Sequence, residues 1–231
     1  MGERLTLTTS IFGAMLARAT GDWDAFRPRY NIAPGQHHWV VRGERRAARV
    51  LAEGVRGGAG GAEAVQMESS RWGLPGHEGR LIDALGCERI SRGRARSVDR
   101  CVVPLDGFYK WIGDSIDSAP LWFHSRGGEL LWGAGICGLT EHGQSAFCLV
   151  TCPSNALVDR ASARMPLLLT WRDVPAWLAR ETSNDRLLSM MHPPDPHTLA
   201  VRVASSRVNF VDVDDPLCVE EAHEAQQLNL L

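Results

Sequence analysis

A single lysine is the first residue of this 231-residue chain to invite chemistry. Of the 25 basic residues only Lys110 is lysine, and the other 24 are arginine. A lysine amine can give up its proton and attack an electrophile, whereas an arginine stays charged at any physiological pH. Codon usage in a GC-rich genome accounts for the arginine bias. The arginines also cluster. Arg89, Arg92, Arg94, Arg96 and Arg100 follow one another closely, opposed after Glu88 only by Asp99. Such a cluster can hold a phosphate backbone even on a chain whose net charge of −2 names no partner. A solvated turn, balanced by the acidic stretch Asp212–Glu224, explains the same charges.

The other reactive side chains carry weaker signals. Six cysteines (Cys87, Cys101, Cys137, Cys148, Cys152, Cys218) include no C-x-x-C pair, and His142 completes no zinc spacing with Cys148 and Cys152. Cys137 and Cys148 sit in apolar runs and read as buried small hydrophobes. No metal site and no cofactor are expected. His37 and His38 stand beside a strand and point to opposite faces. His192 and His197 flank prolines and read as structural or exposed. The string Gly133-Ala134-Gly135-Ile136-Cys137-Gly138 matches a dinucleotide fingerprint in letters only, because it opens no helix. There is no G-x-S-x-G elbow, Walker A loop or H-E-x-x-H.

Elements must hold these residues. At 44% hydrophobic the chain can build a substantial core, and no apolar run approaches the ~20 residues of a membrane span. The start Met1-Gly2-Glu3-Arg4 has no apolar leader segment behind it, so a cytoplasmic location is expected. Ser10 caps an expected helix through Arg18. Strands are expected at His38–Arg42, Ala48–Ala52, Ser70–Leu74 and Cys101–Trp111. A meander follows at Leu121–Phe123, Leu130–Leu139 and Ala146–Cys152, and a late strand at Leu199–Ala204. Helices are expected at Trp171–Arg180 and Asn184–Met191. Glycines 57–61 read as a surface loop. Strands outnumber helices and short turns separate them, which predicts an α+β single domain over 1–231 with an antiparallel core. The acidic C-terminal stretch reads as a tail over 212–231.

Five segments then carry a resemblance. They are Arg29-Tyr30-Asn31-Ile32-Ala33-Pro34; Arg71-Trp72-Gly73-Leu74-Pro75; Arg100-Cys101-Val102-Val103-Pro104-Leu105-Asp106-Gly107-Phe108-Tyr109-Lys110-Trp111; Ser154-Asn155-Ala156 with Arg164-Met165-Pro166; and Val208-Asn209 before Asp215-Pro216. Together they resemble the SOS-response-associated peptidase (SRAP) family, the abasic-site processing proteins, from about residue 2 to residue 218. The resemblance implies a barrel-like β core with flanking helices and a DNA-binding cleft. Its members act in the DNA damage (SOS) response. They bind single-stranded DNA at an abasic site and form a DNA–protein cross-link, in which an N-terminal cysteine closes a thiazolidine on the lesion aldehyde. Amine and thiol on one residue make the second attack intramolecular. The hydrolase label of the family comes from autoproteolytic exposure of that cysteine.

This chain departs where the chemistry sits. Gly2 replaces the cysteine, Lys110 the glutamate, and Ser162 the histidine two residues before Arg164. Asp83-Ala84-Leu85 stands where the family has Asn-Ala-Arg. Arg4, Asn31, Arg71, Trp72, Trp111, Arg164 and Met165 match positions that face DNA in the family. Three readings follow. A monomeric pseudoenzyme binds single-stranded or abasic DNA with little or no chemistry. A divergent enzyme acts through a Lys110 Schiff base, a lyase step or a processed N-terminus. An interaction module keeps the fold and uses the acidic stretch.

Overall fold

The computed structural model describes residues 3–20, 26–43, 66–91, 99–113 and 118–221. The expected strand Ala48–Ala52, the glycine loop 57–61, Arg92, Arg94, Arg96, Gly2 and the end of the acidic stretch lie outside the described residues. In chain order the strands are β1 (Arg4–Leu7), β2 (Arg29–Ile32), β3 (His37–Arg42), β4 (Gln66–Trp72), β5 (Leu74–Pro75), β6 (Leu81–Ile82), β7 (Ala84–Gly86) and β8 (Arg100–Leu105). They continue with β9 (Gly107–Ile112), β10 (Ala119–Ser125), β11 (Leu131–Leu139), β12 (Ser145–Pro153), β13 (Arg164–Pro166), β14 (Leu168–Leu169) and β15 (Leu199–Val203). The helices are α1 (Ser10–Thr20), α2 (Cys87–Ser91), α3 (Val174–Leu178) and α4 (Asn184–Leu188).

Five strands close into a ring. They run in the order β12-β4-β3-β8-β11, and β11 pairs back onto β12. All six residues of β8 are buried, as are seven consecutive residues of β12, which fits strands covered on both faces. The barrel-like core is therefore present, but it is not wholly antiparallel. β12 runs parallel to β4 and to β7. The glycine string lies within β11, where a Cβ at Gly135 would stand 2.8 Å from Cys101 Sγ. Those glycines serve close strand packing.

A second sheet has the order β15-β10-β9-β1-β2. The segment Cys101–Trp111, expected as one strand, divides at Asp106 between the two sheets. The Asp106 carboxylate accepts from Thr6 Oγ1 at 2.5 Å, Thr8 N at 2.5 Å, Thr8 Oγ1 at 2.6 Å and Thr9 N at 3.0 Å, tying the end of β1 to the corner. Gly107 follows because a Cβ there would run into Trp122 Nε1 and stand 2.8 Å from Phe123 O.

The helical expectations contract. Residues 171–180 yield only α3, whose second residue is Pro175, and residues 184–191 yield α4, whose first turn Ser183 caps by accepting from Arg186 N. The helix at Ser10 extends through Thr20. All six cysteines are free and buried.

The acidic stretch is partly inside the fold. Asp214 pairs with Arg29 and accepts from Tyr30 N at 2.5 Å and Asn31 N at 2.9 Å. Asn31 Nδ2 in turn donates to Phe210 O at 3.0 Å and Val213 O at 2.8 Å, clasping the late loop onto β2. Asp215 pairs with Arg207.

Candidate nucleic-acid interface

The motif residues sort into three groups. The first holds the fold. Asn31 is fully buried in its clasp. Trp72 is also fully buried, lies at 13° to the Phe147 ring, and donates Nε1–H to Asp83 O at 2.8 Å. Met165 is enclosed beside Cys152, its partner across β13 and β12. These three were expected to face DNA. In this structure Trp72 and Met165 have no exposed surface, and the Asn31 amide donates to backbone.

The second group lies on the five-stranded sheet. In the β1–β9 ladder Arg4 stands opposite Tyr109. Strand alternation puts Arg4, Tyr109 and Trp111 on one face and Lys110 on the other. The Arg4 guanidinium sits 5.8 Å from the centre of the Trp111 ring, and Trp111 Nε1 donates to Asn209 Oδ1 at 2.7 Å. Trp111 keeps part of its surface open. On the opposite face the same register carries Glu3 alongside Lys110, and Lys110 Nζ is hydrogen-bonded to Glu3 Oε1. The two side chains retain 10% and 14% of their exposure. Glu3 Oε2 is buried and has no hydrogen-bond partner among the described residues. Glu3 was not singled out from the sequence, although it stands between Gly2 and Arg4. The register β1 shares with β9 is what places it.

The third group lines two cavities that meet at Leu81. One, of about 290 Å³, is lined by Arg71, Arg80, Leu81, Glu141 and His142 among others. The second, of about 570 Å³, is lined by Leu81, Ile82, Asp83, Leu85, Arg89 and Arg164 among others. Leu81 and Ile82 are large apolar residues left 42% and 40% exposed. Arg71 Nε is buried without a hydrogen-bond partner among the described residues. Arg164 is held from below: Nε donates to Thr151 Oγ1 at 3.1 Å and Nη2 to Thr151 O at 2.7 Å. Its fork also grips Glu88 at 2.6 and 3.0 Å, which holds that carboxyl below its ordinary pKa. Ser162 lies next to this group. It donates to Arg164 O at 3.0 Å and accepts from Arg164 N at 3.3 Å, so it shapes the loop that presents Arg164. The sequence reading missed Arg80 here, and it named Arg89 only as part of a charge cluster. Of that cluster, Arg100 turns inward to the carbonyls of Trp177 and Ala179, both at 2.6 Å.

Among the described residues no group of three or more His, Cys, Asp or Glu could hold a metal ion, and no helix is long and apolar enough to cross a membrane.

The strand ring and its companion sheet define the fold class, and comparison with known proteins gives the family. The chain matches the family model of the SOS response associated peptidases (SRAP) over residues 3–211 and belongs to that family. Its relatives include the abasic site processing protein YoqW of Bacillus subtilis, 25% identical over 211 residues, covering 84% of this chain and 87% of that one. Another is the abasic site processing protein YoaM of the same organism, 26% identical over 200 residues, covering 80% and 81%. Similar folds are seen in crystal structures of a phage-related protein from Bordetella bronchiseptica (TM-score 0.62, 19% identity, covering 87% of this chain and 93% of that chain) and of a protein from Bacteroides thetaiotaomicron (TM-score 0.57, 18% identity, covering 79% and 99%).

Proposed function

We propose that this protein binds single-stranded DNA at abasic sites through the groove at Leu81, and that the thiazolidine chemistry of its family is lost with the thiol that Gly2 lacks. One observation carries the reading. Four arginines from separate segments, Arg71, Arg80, Arg89 and Arg164, line two cavities that share one exposed apolar residue. The guanidinium forks of Arg71, Arg80 and Arg89 match phosphate oxygens, and their spread along a groove suits a strand, while Arg164, bidentate to Glu88, adds its charge at one end. Leu81 and Ile82 between them offer an apolar wedge of the kind that enters an interrupted base stack. The relatives are named for abasic-site processing, which supplies the lesion. The interaction-module reading loses its hint, because Asp214 and Asp215 are engaged with Arg29 and Arg207.

Fluorescence anisotropy with a short strand bearing a tetrahydrofuran abasic analogue tests the proposal. The strand binds more tightly than its duplex, and log K falls with log salt by about 0.7 per phosphate neutralised. Replacing Arg71 and Arg80 together by alanine lowers affinity about tenfold, ~1.4 kcal/mol, and flattens the slope. Equal affinity for duplex and strand, or binding indifferent to salt, overturns the reading.

A further inference from the structure

We infer that Lys110 and Glu3 form an amine–carboxylate pair that captures the aldehyde of an abasic site as an imine. The inference rests on the DNA-binding reading above for its substrate. A lysine by itself lacks a proton partner, and the structure supplies one: Glu3 Oε1 is bonded to Lys110 Nζ, and Glu3 Oε2 has a free acceptor position in a buried setting. A buried carboxylate oxygen without a donor is costly unless a ligand supplies one. The hydroxyl of a carbinolamine is such a donor. The pair keeps 10% and 14% of its side-chain exposure, so the amine is sheltered without being sealed.

The step balances. Glu3 accepts one proton from the Lys110 ammonium. The freed Nζ lone pair attacks C1′ of the ring-opened sugar, and the C=O π electrons move to oxygen. A proton passes from nitrogen to that oxygen, giving the carbinolamine. Glu3 then returns its proton to the hydroxyl, the C–O bond breaks, water leaves, and the nitrogen lone pair closes a protonated imine. Glu3 ends as the carboxylate it began as. Neither metal nor redox partner takes part.

Sodium borohydride trapping with the full-length protein and a strand carrying a true abasic site is the test. The expected result is a covalent adduct that peptide mass spectrometry maps to Lys110. Lys110→Arg keeps the cation and abolishes the adduct. Glu3→Gln keeps a hydrogen-bonding side chain and slows trapping at least tenfold. Near-wild-type melting of both variants establishes that they fold. No adduct from a wild-type protein that binds the tetrahydrofuran strand overturns the inference and leaves the binding proposal standing. An adduct undiminished in Lys110→Arg, or mapped elsewhere, also overturns it. Failure to bind the tetrahydrofuran strand at all counts against the binding proposal instead.

Discussion

At the scale of single residues, a family motif says that a side chain is fixed without saying by what. Trp72 and Arg71 are neighbours in one motif, yet Trp72 is sealed against Phe147 while Arg71 lines an open cavity. Strand alternation separates them, and that separation is not visible until the inner face of β4 is known. Trp72→Phe keeps most of the apolar volume but removes the indole donor to Asp83 O, which then accepts from Leu149 N alone. It is expected to destabilise the fold by about 1–3 kcal/mol in urea unfolding while the affinity of folded protein for DNA is unchanged. A selective loss of DNA binding at wild-type stability would return Trp72 to the interface. Asn31→Ala removes the amide shared by Phe210 O and Val213 O and is expected to cost about 2–4 kcal/mol by the same measurement. Glu3 shows the converse case. Nothing in its local sequence pairs it with Lys110, and only the folded contact with the lone lysine gives it meaning.

At the scale of elements, what was legible depended on how local the cause was. The strands β10, β11 and β12 could be read because their apolar runs are long and bounded by turns, but not as one meander: β10 pairs with β9 and β15 in the second sheet, and only β11 and β12 pair with each other. β7, β13 and β14 span only two or three residues and exist because neighbouring strands offer them hydrogen bonds, so no local pattern announces them. β1 was missed for a related reason: its partner β9 lies about a hundred residues downstream, which no local reading can see. The division of β8 from β9 was hidden by continuous β-forming sequence, although the Asp106-Gly107 pair marks it. Gly107→Ala places a methyl against Trp122 and the backbone at Phe123, and neither can retreat cheaply. The expected outcome is loss of soluble protein or a melting temperature lowered by at least ten degrees. A variant that melts like wild type would mean that the corner has room to shift.

At the scale of the whole molecule, α+β with a barrel-like core followed from the sequence, while the parallel seam of the ring did not, because pairing direction is set by topology. His38 sits wholly inside that ring, donating Nε2–H to Pro104 O at 2.7 Å. Burial holds its pKa down to about 4. The unfolded chain therefore takes up a proton near pH 6.5 that the folded protein refuses until about pH 4. Stability from this group is whole above pH 6.5 and falls as pH drops towards 4, by about 3 kcal/mol in all. Urea midpoints measured across that window should decline in wild type and decline less in His38→Gln. Equal slopes in the two proteins would remove His38 as the cause.

The position of β1 has a consequence for synthesis. It is held between β9 and β2, and its sheet is completed only by β15 at Leu199–Val203. At translation speeds of about 5–20 residues per second, β1 leaves the ribosome some 5–20 seconds before β9 does. Through that interval the strand that follows Glu3 lacks its β9 partner, and the lysine Glu3 will meet has not yet been made.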